Sequence, residues 1–422
     1  MLNSPNINLD EYEVSSENGF LPSTLPLFIL PSNYYKPWER LAHHLPALLQ
    51  SGQIRSKVDD LPLLTTDCLQ TEPEWRRAYS ILGFITHAYI WGGSSPEDNL
   101  PTCLSKPFIE ISEHLGLPPC ATYAGLALWN YTAAPGADIT DPDNLCTLTS
   151  FTGTTDEEWF IVISVAIEAK GGKLLTLMLD AVAAATAKEP ELLAALLCQF
   201  TERLQDFNNT LKRMNERCTP EVFFHQIRPL LAGSKGMASA GLAYGVFYND
   251  GNNSGEWRQY SGGSNAQSSL IQTFDIFLGV NHSATGGISG PTGYLMDMRT
   301  YMPAPHRNFL GAFDDVSNIR SYVISESSHA GPTLKEAFNA ACMMLSEFRD
   351  THLQIVTRYI HVPARRGIPK DEGGSERVNL ASASAQVEGL DEETPSGLYG
   401  TGGTSLIPFL RQTRDATKDA TC

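Results

Sequence analysis

Apolar residues recur at helical spacing over most of the chain, and strand-like alternation is scarce. Residues 72–90 carry Trp75, Ala78, Tyr79, Leu82, Ile85 and Ile90 on one stripe, which predicts a helix. Residues 38–51 do the same with Leu41, Leu45, Leu48 and Leu49, with Pro46 expected to bend or break the helix. Residues 159–188 have almost no polar position on one face. Thr155 opens that run, with Glu157 and Glu158 in the first turn where acids suit the helix dipole, and Gly171 and Gly172 predict a kink or a break. Pro190 opens a helix over 189–218 and Pro220 one over 221–231. Further helices are expected within 267–279, within 286–302 up to the stop at Pro303 and Pro305, over 334–360 and over 404–418.

The stretches between are of other kinds. Residues 1–30 read as an irregular arm. Residues 96–119 are broken by prolines around a short helix near 107–115. Residues 122–131 are short, apolar and aromatic. Residues 232–263 are rich in Gly, Asn and Ser and read as a long loop, and 363–403 as a mobile loop with little hydrophobicity. The expected fold is mainly α. A shift to Gly, Pro, Asp and Thr over 132–155 marks a boundary between a small N-terminal domain, 1–150, and a large helical domain, 151–422.

Within 334–360 one stripe is unusual. Ala341, Leu345, Phe348, Ile355 and Tyr359 fall on one face, and a further step of four from Phe348 lands on His352. A neutral imidazole in apolar surroundings still needs a partner for its second nitrogen. A metal is one answer and a core hydrogen bond is the commoner one.

Charge narrows the choice. A net charge of −17 argues against a nucleic-acid partner and against docking on anionic membranes. No apolar run is long enough to span a membrane, and the polar, acidic first twenty residues lack the parts of a signal peptide. Eight cysteines are scattered without a CxxC pair, which reads as reduced thiols in the cytosol. A cytoplasmic monomer is the expected state.

Common catalytic motifs are missing: there is no P-loop, no GxGxxG after a strand, no HExxH and no GxSxG. Gly262-Gly263-Ser264 lacks the following Lys of a phosphate cradle and reads as a tight loop needing small residues. Phe223, Phe224 and Arg228 put two aromatics and a cation on one helical side, or a core aromatic beside a surface arginine. Ser164 sits alone in an apolar run, where a serine ordinarily bonds its own i−4 carbonyl. Asp275 interrupts an apolar helix and needs a partner, for which Arg349 is a candidate.

Taken in order, SGGSNAQSSLIQTFDIFLG (261–279), MRTYMPAPHRNFL (298–310), HLQIVTRYI (352–360) and GTGGTSL (400–406) resemble the indoleamine 2,3-dioxygenase family, with weaker echoes at 223–228, 160–168 and 43–52. The resemblance implies an enzyme that binds haem b and inserts both atoms of O2 across the indole C2–C3 bond of tryptophan, giving N-formylkynurenine. His352 is similar in position to the proximal haem-iron ligand, and Arg349 and Asp275 to a charged pair beside the haem. Phe223, Phe224 and Arg228 match substrate residues, the arginine forking onto the carboxylate. Ser164 and Phe160 match the indole pocket, and Tyr123 matches a pocket residue from the small domain. Gly263 and Ser264 match the loop over the haem edge, and Thr401 the loop that closes over substrate. No protein general base is implied, so the cofactor carries the hard step.

Three departures stand out, one of them Pro229 directly after Arg228. Asn265 replaces a small family residue beside the haem edge, and the loop 249–255 (NDGNNSG) is distinctive. Asn265 and the loop motivate a second expectation, a haem dioxygenase for another indole or a modified tryptophan in a specialised pathway. A third is a haem-binding sensor with little turnover, against which the retained carboxylate clamp speaks.

Overall fold

The computed structural model describes residues 7–251, 254–282, 291–326, 332–366, 401 and 406–422. The fold is mainly α. Eight longer helices organise it: α1 (Glu72–Trp91), α2 (Thr102–Leu115), α3 (Thr155–Thr186), α4 (Pro190–Lys212), α5 (Ser269–Leu278), α6 (Ala304–Val316), α7 (Pro332–Val356) and α8 (Leu406–Asp419). Helix α4 packs between α3 and α7, α8 lies along α7, and α5 rests on α6. Phe200 and Phe207 of α4 meet Phe274 and Phe277 of α5 in the core between them.

Proline and capping explain most helix starts. Lys36–His43 and Leu45–Gln50 are separate helices, broken where Pro46 enters the first turn of the second. In α3 the Thr154 hydroxyl caps the amide of Glu157, whose buried carboxylate accepts from the amides of Phe151 and Thr152.

Three expectations need correcting. Helix α3 runs unbroken through Gly171 and Gly172. A Cβ on Gly172 would stand 2.2 Å from the Glu17 carbonyl, and one on Gly171 would stand 2.8 Å from Leu270. These glycines admit the N-terminal arm and α5 against the helix; they do not interrupt it. Helix α2 begins at Thr102, ahead of the expected start, and carries Pro107 inside it. The presumed loop 232–263 holds a hairpin of β4 (Val246–Asn249) and β5 (Gly255–Arg258), with Val246 opposite Arg258. Strand β1 (Asn99–Leu100) pairs parallel to β4. β2 (Tyr131–Ala133) and β3 (Leu145–Thr147) form a second, two-stranded sheet. Strands this short contain too few alternations to register as a pattern.

The expected loop 363–403 lies largely outside the described residues, although Val362–Arg366 is helical. All eight cysteines are free thiols. Among the described residues no helix is long and apolar enough to cross a membrane.

Candidate functional site

Helices α3, α5, α7 and α8, with the segments around Tyr123, Met214, Arg228, Gly263 and Tyr294 and with Thr401, enclose a cavity of about 250 Å³. Its walls are mostly apolar, with Phe160, Ile163, Ile167, Phe348, Ile355 and Phe409 among them. Of the sequence-predicted residues, Tyr123, Phe160, Ser164, Phe223, Arg228, Gly263, Ser264, Asp275, Arg349, His352 and Thr401 line it. Phe224 does not. It is buried behind the wall, with the Arg228 guanidinium carbon 5.8 Å from its ring centre.

His352 projects from α7 between Phe348 and Ile355, both also at the cavity. Among the described residues neither ring nitrogen has a hydrogen-bond partner. Protein surrounds the ring, and what surface remains open faces the cavity. Burial, reinforced by the nearby Arg349 cation, pushes its pKa down to about 4. The imidazole is therefore neutral at physiological pH, the form that ligates iron.

Arg349, one turn earlier, grips Asp275 with two hydrogen bonds of 2.6 and 2.8 Å. The His282 Nε2 atom lies 2.9 Å from the other side of that carboxylate. Burial alone would raise the Asp275 pKa; Arg349 and His282 outweigh it and hold the group below its usual range. Arg349 also donates to the Thr413 carbonyl and the Thr417 hydroxyl of α8. The pair thus fixes α5, α7 and α8 around the imidazole.

Elsewhere on the wall, Arg228 is fully buried, and burial lowers its guanidinium to about 10, so it stays cationic at neutral pH. It follows a π-helical turn, Phe223–Ile227, which turns Phe223 to the cavity against Phe160 at 4.9 Å between ring centres. Tyr123 stands at the start of a second π turn, Ala124–Leu128. Ser164 reaches its i−4 carbonyl, Phe160, at 3.5 Å.

The glycine loop crosses the segment after Arg228 at backbone contact. A Cβ on Gly262 would fall 2.1 Å from the Leu231 carbonyl, and one on Gly233 would fall 2.2 Å from the Tyr260 carbonyl. Thr401 clasps the same loop: its carbonyl accepts from the Gly262 amide at 3.0 Å, and its hydroxyl donates to the Gly263 carbonyl at 2.8 Å. Sequence reasoning placed Thr401 near the site but not on this loop. It missed Glu168 and Gln272, polar residues that also line the cavity, whereas Asn265, singled out from the sequence, lines it too. For Glu168 a signal existed, since it follows Ser164 by one turn on an otherwise apolar face.

The arrangement fits haem. A neutral, unpartnered imidazole aims into an apolar slot, and a charged pair behind it anchors its helix. Small residues, Gly263, Ser264 and Ala266, leave room for close approach. The family model for indoleamine 2,3-dioxygenase matches residues 8–420. The chain belongs to the indoleamine 2,3-dioxygenase family. It is a haem b-dependent oxidoreductase that uses dioxygen as co-substrate. Over 100% of its length it is 40% identical to the indoleamine 2,3-dioxygenase nanC of Aspergillus nanangensis, of which it covers 98%. It is 41% identical to the indoleamine 2,3-dioxygenase of Saccharomyces cerevisiae, over 97% of this chain and 92% of the relative. It is 37% identical to the 6-hydroxytryptophan 2,3-dioxygenase fscD of Fusarium equiseti, over 97% and 96%. The family assignment thus extends over both the arm-and-sheet part and the helical part of the chain.

Proposed function

We propose that this dioxygenase opens the C2–C3 bond of L-tryptophan to give N-formylkynurenine, the first step of the kynurenine route towards NAD. The observation that carries the reading is the presence, in one cavity, of a neutral imidazole and a buried guanidinium. The first suits an iron and the second an amino-acid carboxylate.

His352 would hold the haem, with Arg349 and Asp275 fixing the helix that carries it and Gly263 and Ser264 lying along its edge. When bound, haem supplies the activation of dioxygen. The remaining work is positioning. Arg228 forks onto the substrate carboxylate, and Phe160 and Phe223 pack on the indole faces. Tyr123 and Ser164 supply hydroxyls at the pocket wall. Thr401, by clasping the glycine loop, holds one side of the pocket shut against water. Phe224 acts from behind, as a ring under the Arg228 cation. No side chain is assigned a proton transfer. Residues 1–150 form the small domain that lends Tyr123, and 151–422 the large helical domain.

A second reading has its own support. Asn265 brings an amide to the cavity wall, which suits a ring hydroxyl better than a bare indole, and the Fusarium equiseti relative is named for 6-hydroxytryptophan.

One experiment tests both. The haem-loaded, reduced protein is given oxygen and, separately, L-tryptophan, 6-hydroxytryptophan and tryptamine, while the haem absorption and the formylkynurenine product are followed. Efficient turnover of L-tryptophan carries the first reading. A preference for the hydroxylated substrate carries the second. A haem spectrum without product from any of them rejects both.

A further inference from the structure

Helix α3 places Glu168 one turn beyond Ser164, on the cavity wall. Its carboxyl is buried, and among the described residues no arginine or lysine pairs with it. One oxygen, Oε1, accepts from the Tyr123 hydroxyl at 3.0 Å and from the Ser268 hydroxyl at 2.6 Å. The other, Oε2, is buried with no partner among the described residues. Burial raises the pKa to about 7, the two hydrogen bonds opposing it. Tyr123, from the turn before Ala124–Leu128, is the titratable group facing it. The residue capping helix α5, Ser268, offers a hydroxyl, and the N-terminal arm at Gly19 lies against the Glu168 main-chain carbonyl, not its carboxyl. Asp275, Arg228 and His352 share the cavity without bonding to it.

Three side chains from three parts of the chain therefore form one line: Ser268, Glu168 and Tyr123. The Ser164 hydroxyl, one turn before Glu168, donates instead to its own i−4 carbonyl, Phe160. An ionised carboxylate only accepts. It accepts the Tyr123 O–H, and the lone pairs of the phenol oxygen are left for the cavity that Tyr123 lines. A protonated carboxyl donates to the phenol oxygen instead, and the phenol hydrogen is released towards the cavity.

We propose that Glu168 is a positioning residue whose protonation state sets the direction of the Tyr123 hydroxyl, and through it the pocket's preference for hydrogen-bond donors. An indole N–H is a donor with no acceptor, so the ionised state favours it. The proposal rests on this cavity being the substrate pocket.

Two measurements test it. The first uses the haem-free full chain: thermal stability of wild type, Glu168→Gln and Ser268→Ala from about pH 5 to about pH 8. A group whose pKa rises on folding gives stability that is present in acid and lost as pH rises through the folded value. Wild type should therefore lose stability relative to Glu168→Gln up to about pH 7. Ser268→Ala, which removes a hydrogen bond to the ionised form, should move that inflection upward and serves if Glu168→Gln folds poorly. A difference that does not change with pH overturns the proposal.

The second measurement is L-tryptophan affinity of the haem-loaded ferric protein, read from the shift in its haem band. Wild type should bind severalfold tighter above the inflection than below it, and Glu168→Gln equally at both. A haem-band response that is the same at every pH overturns this proposal alone. No response to tryptophan at any pH overturns the substrate reading and the proposal with it.

Discussion

Arg228 shows what a single residue contributes here. A guanidinium held in an apolar wall at a pKa of about 10 remains charged at neutral pH, and a carboxylate is its natural ligand. Charge-assisted hydrogen bonds contribute about 1.5–3 kcal/mol. Arg228→Met should therefore raise the KM for L-tryptophan roughly 10- to 100-fold. Turnover of tryptamine, which has no carboxylate, should change little. Steady-state kinetics on both substrates check this, and equal losses on the two would move Arg228 from binding to structure. His352→Ala should leave purified protein with little haem, read from the ratio of haem to protein absorption. Full haem content would remove the central assignment. These two residues were legible in different ways. The His352 stripe followed from spacing alone. The role of Arg228 came only through family resemblance, because its spacing from Phe223 fits a surface cation equally well. Glu168 was not legible as a paired group, since both hydrogen-bond donors, Tyr123 and Ser268, are distant in sequence.

Among elements, helix existence was legible and helix interruption was not. Pro46 broke its helix as expected. Gly171 and Gly172 did not break α3, because their lack of a side chain serves packing against Glu17 and Leu270. Sequence cannot separate a glycine that breaks a helix from one that admits a neighbour. Gly172→Ala tests the second account. The added methyl has backbone as its obstacle, so the arm must move. A loss of about 1–3 kcal/mol is expected in urea unfolding. A gain from the better helix former would show that the arm is not held there. The three π turns among the described residues, Ala124–Leu128, Phe223–Ile227 and Thr357–His361, were also hidden from period reasoning. Each inserts one residue into a helical path, and each borders the cavity with Leu126, Phe223 or Tyr359.

For the whole molecule, His87 on α1 ties distant parts together. Its Nδ1–H donates to the Leu230 carbonyl at 2.9 Å, and its Nε2 accepts from the Ala121 amide at 3.0 Å. Trp91, a turn further on, donates to the Ala232 carbonyl at 2.8 Å. Helix α1 thereby sets the spacing between the segment bearing Tyr123 and the turn bearing Arg228. Acceptance at Nε2 requires a neutral ring, and burial pushes the His87 pKa down to about 4. The depressed value gives stability that is present above the unfolded pKa of about 6.5 and lost as pH falls towards 4. The loss from this ring is about 1.4 kcal/mol per pH unit across that window. His87→Asn should be less stable than wild type at pH near 7, with the gap narrowing in acid. Urea midpoints at several pH values check this, and a constant gap would mean that the ring gains its proton as readily in the folded state as in the unfolded one.

The crossing of glycines at Gly233 and Gly262 bears on how such a pocket changes over generations. Two of its walls meet there with no room for any side chain, so neither strand of the crossing tolerates replacement or a shift in length. Neutral drift is closed to that junction. New substrate preferences must arise from outward positions such as Asn265, Ser164 and Phe160, whose side chains can vary while the backbone stays fixed. The rigid junction is what leaves those positions free to explore.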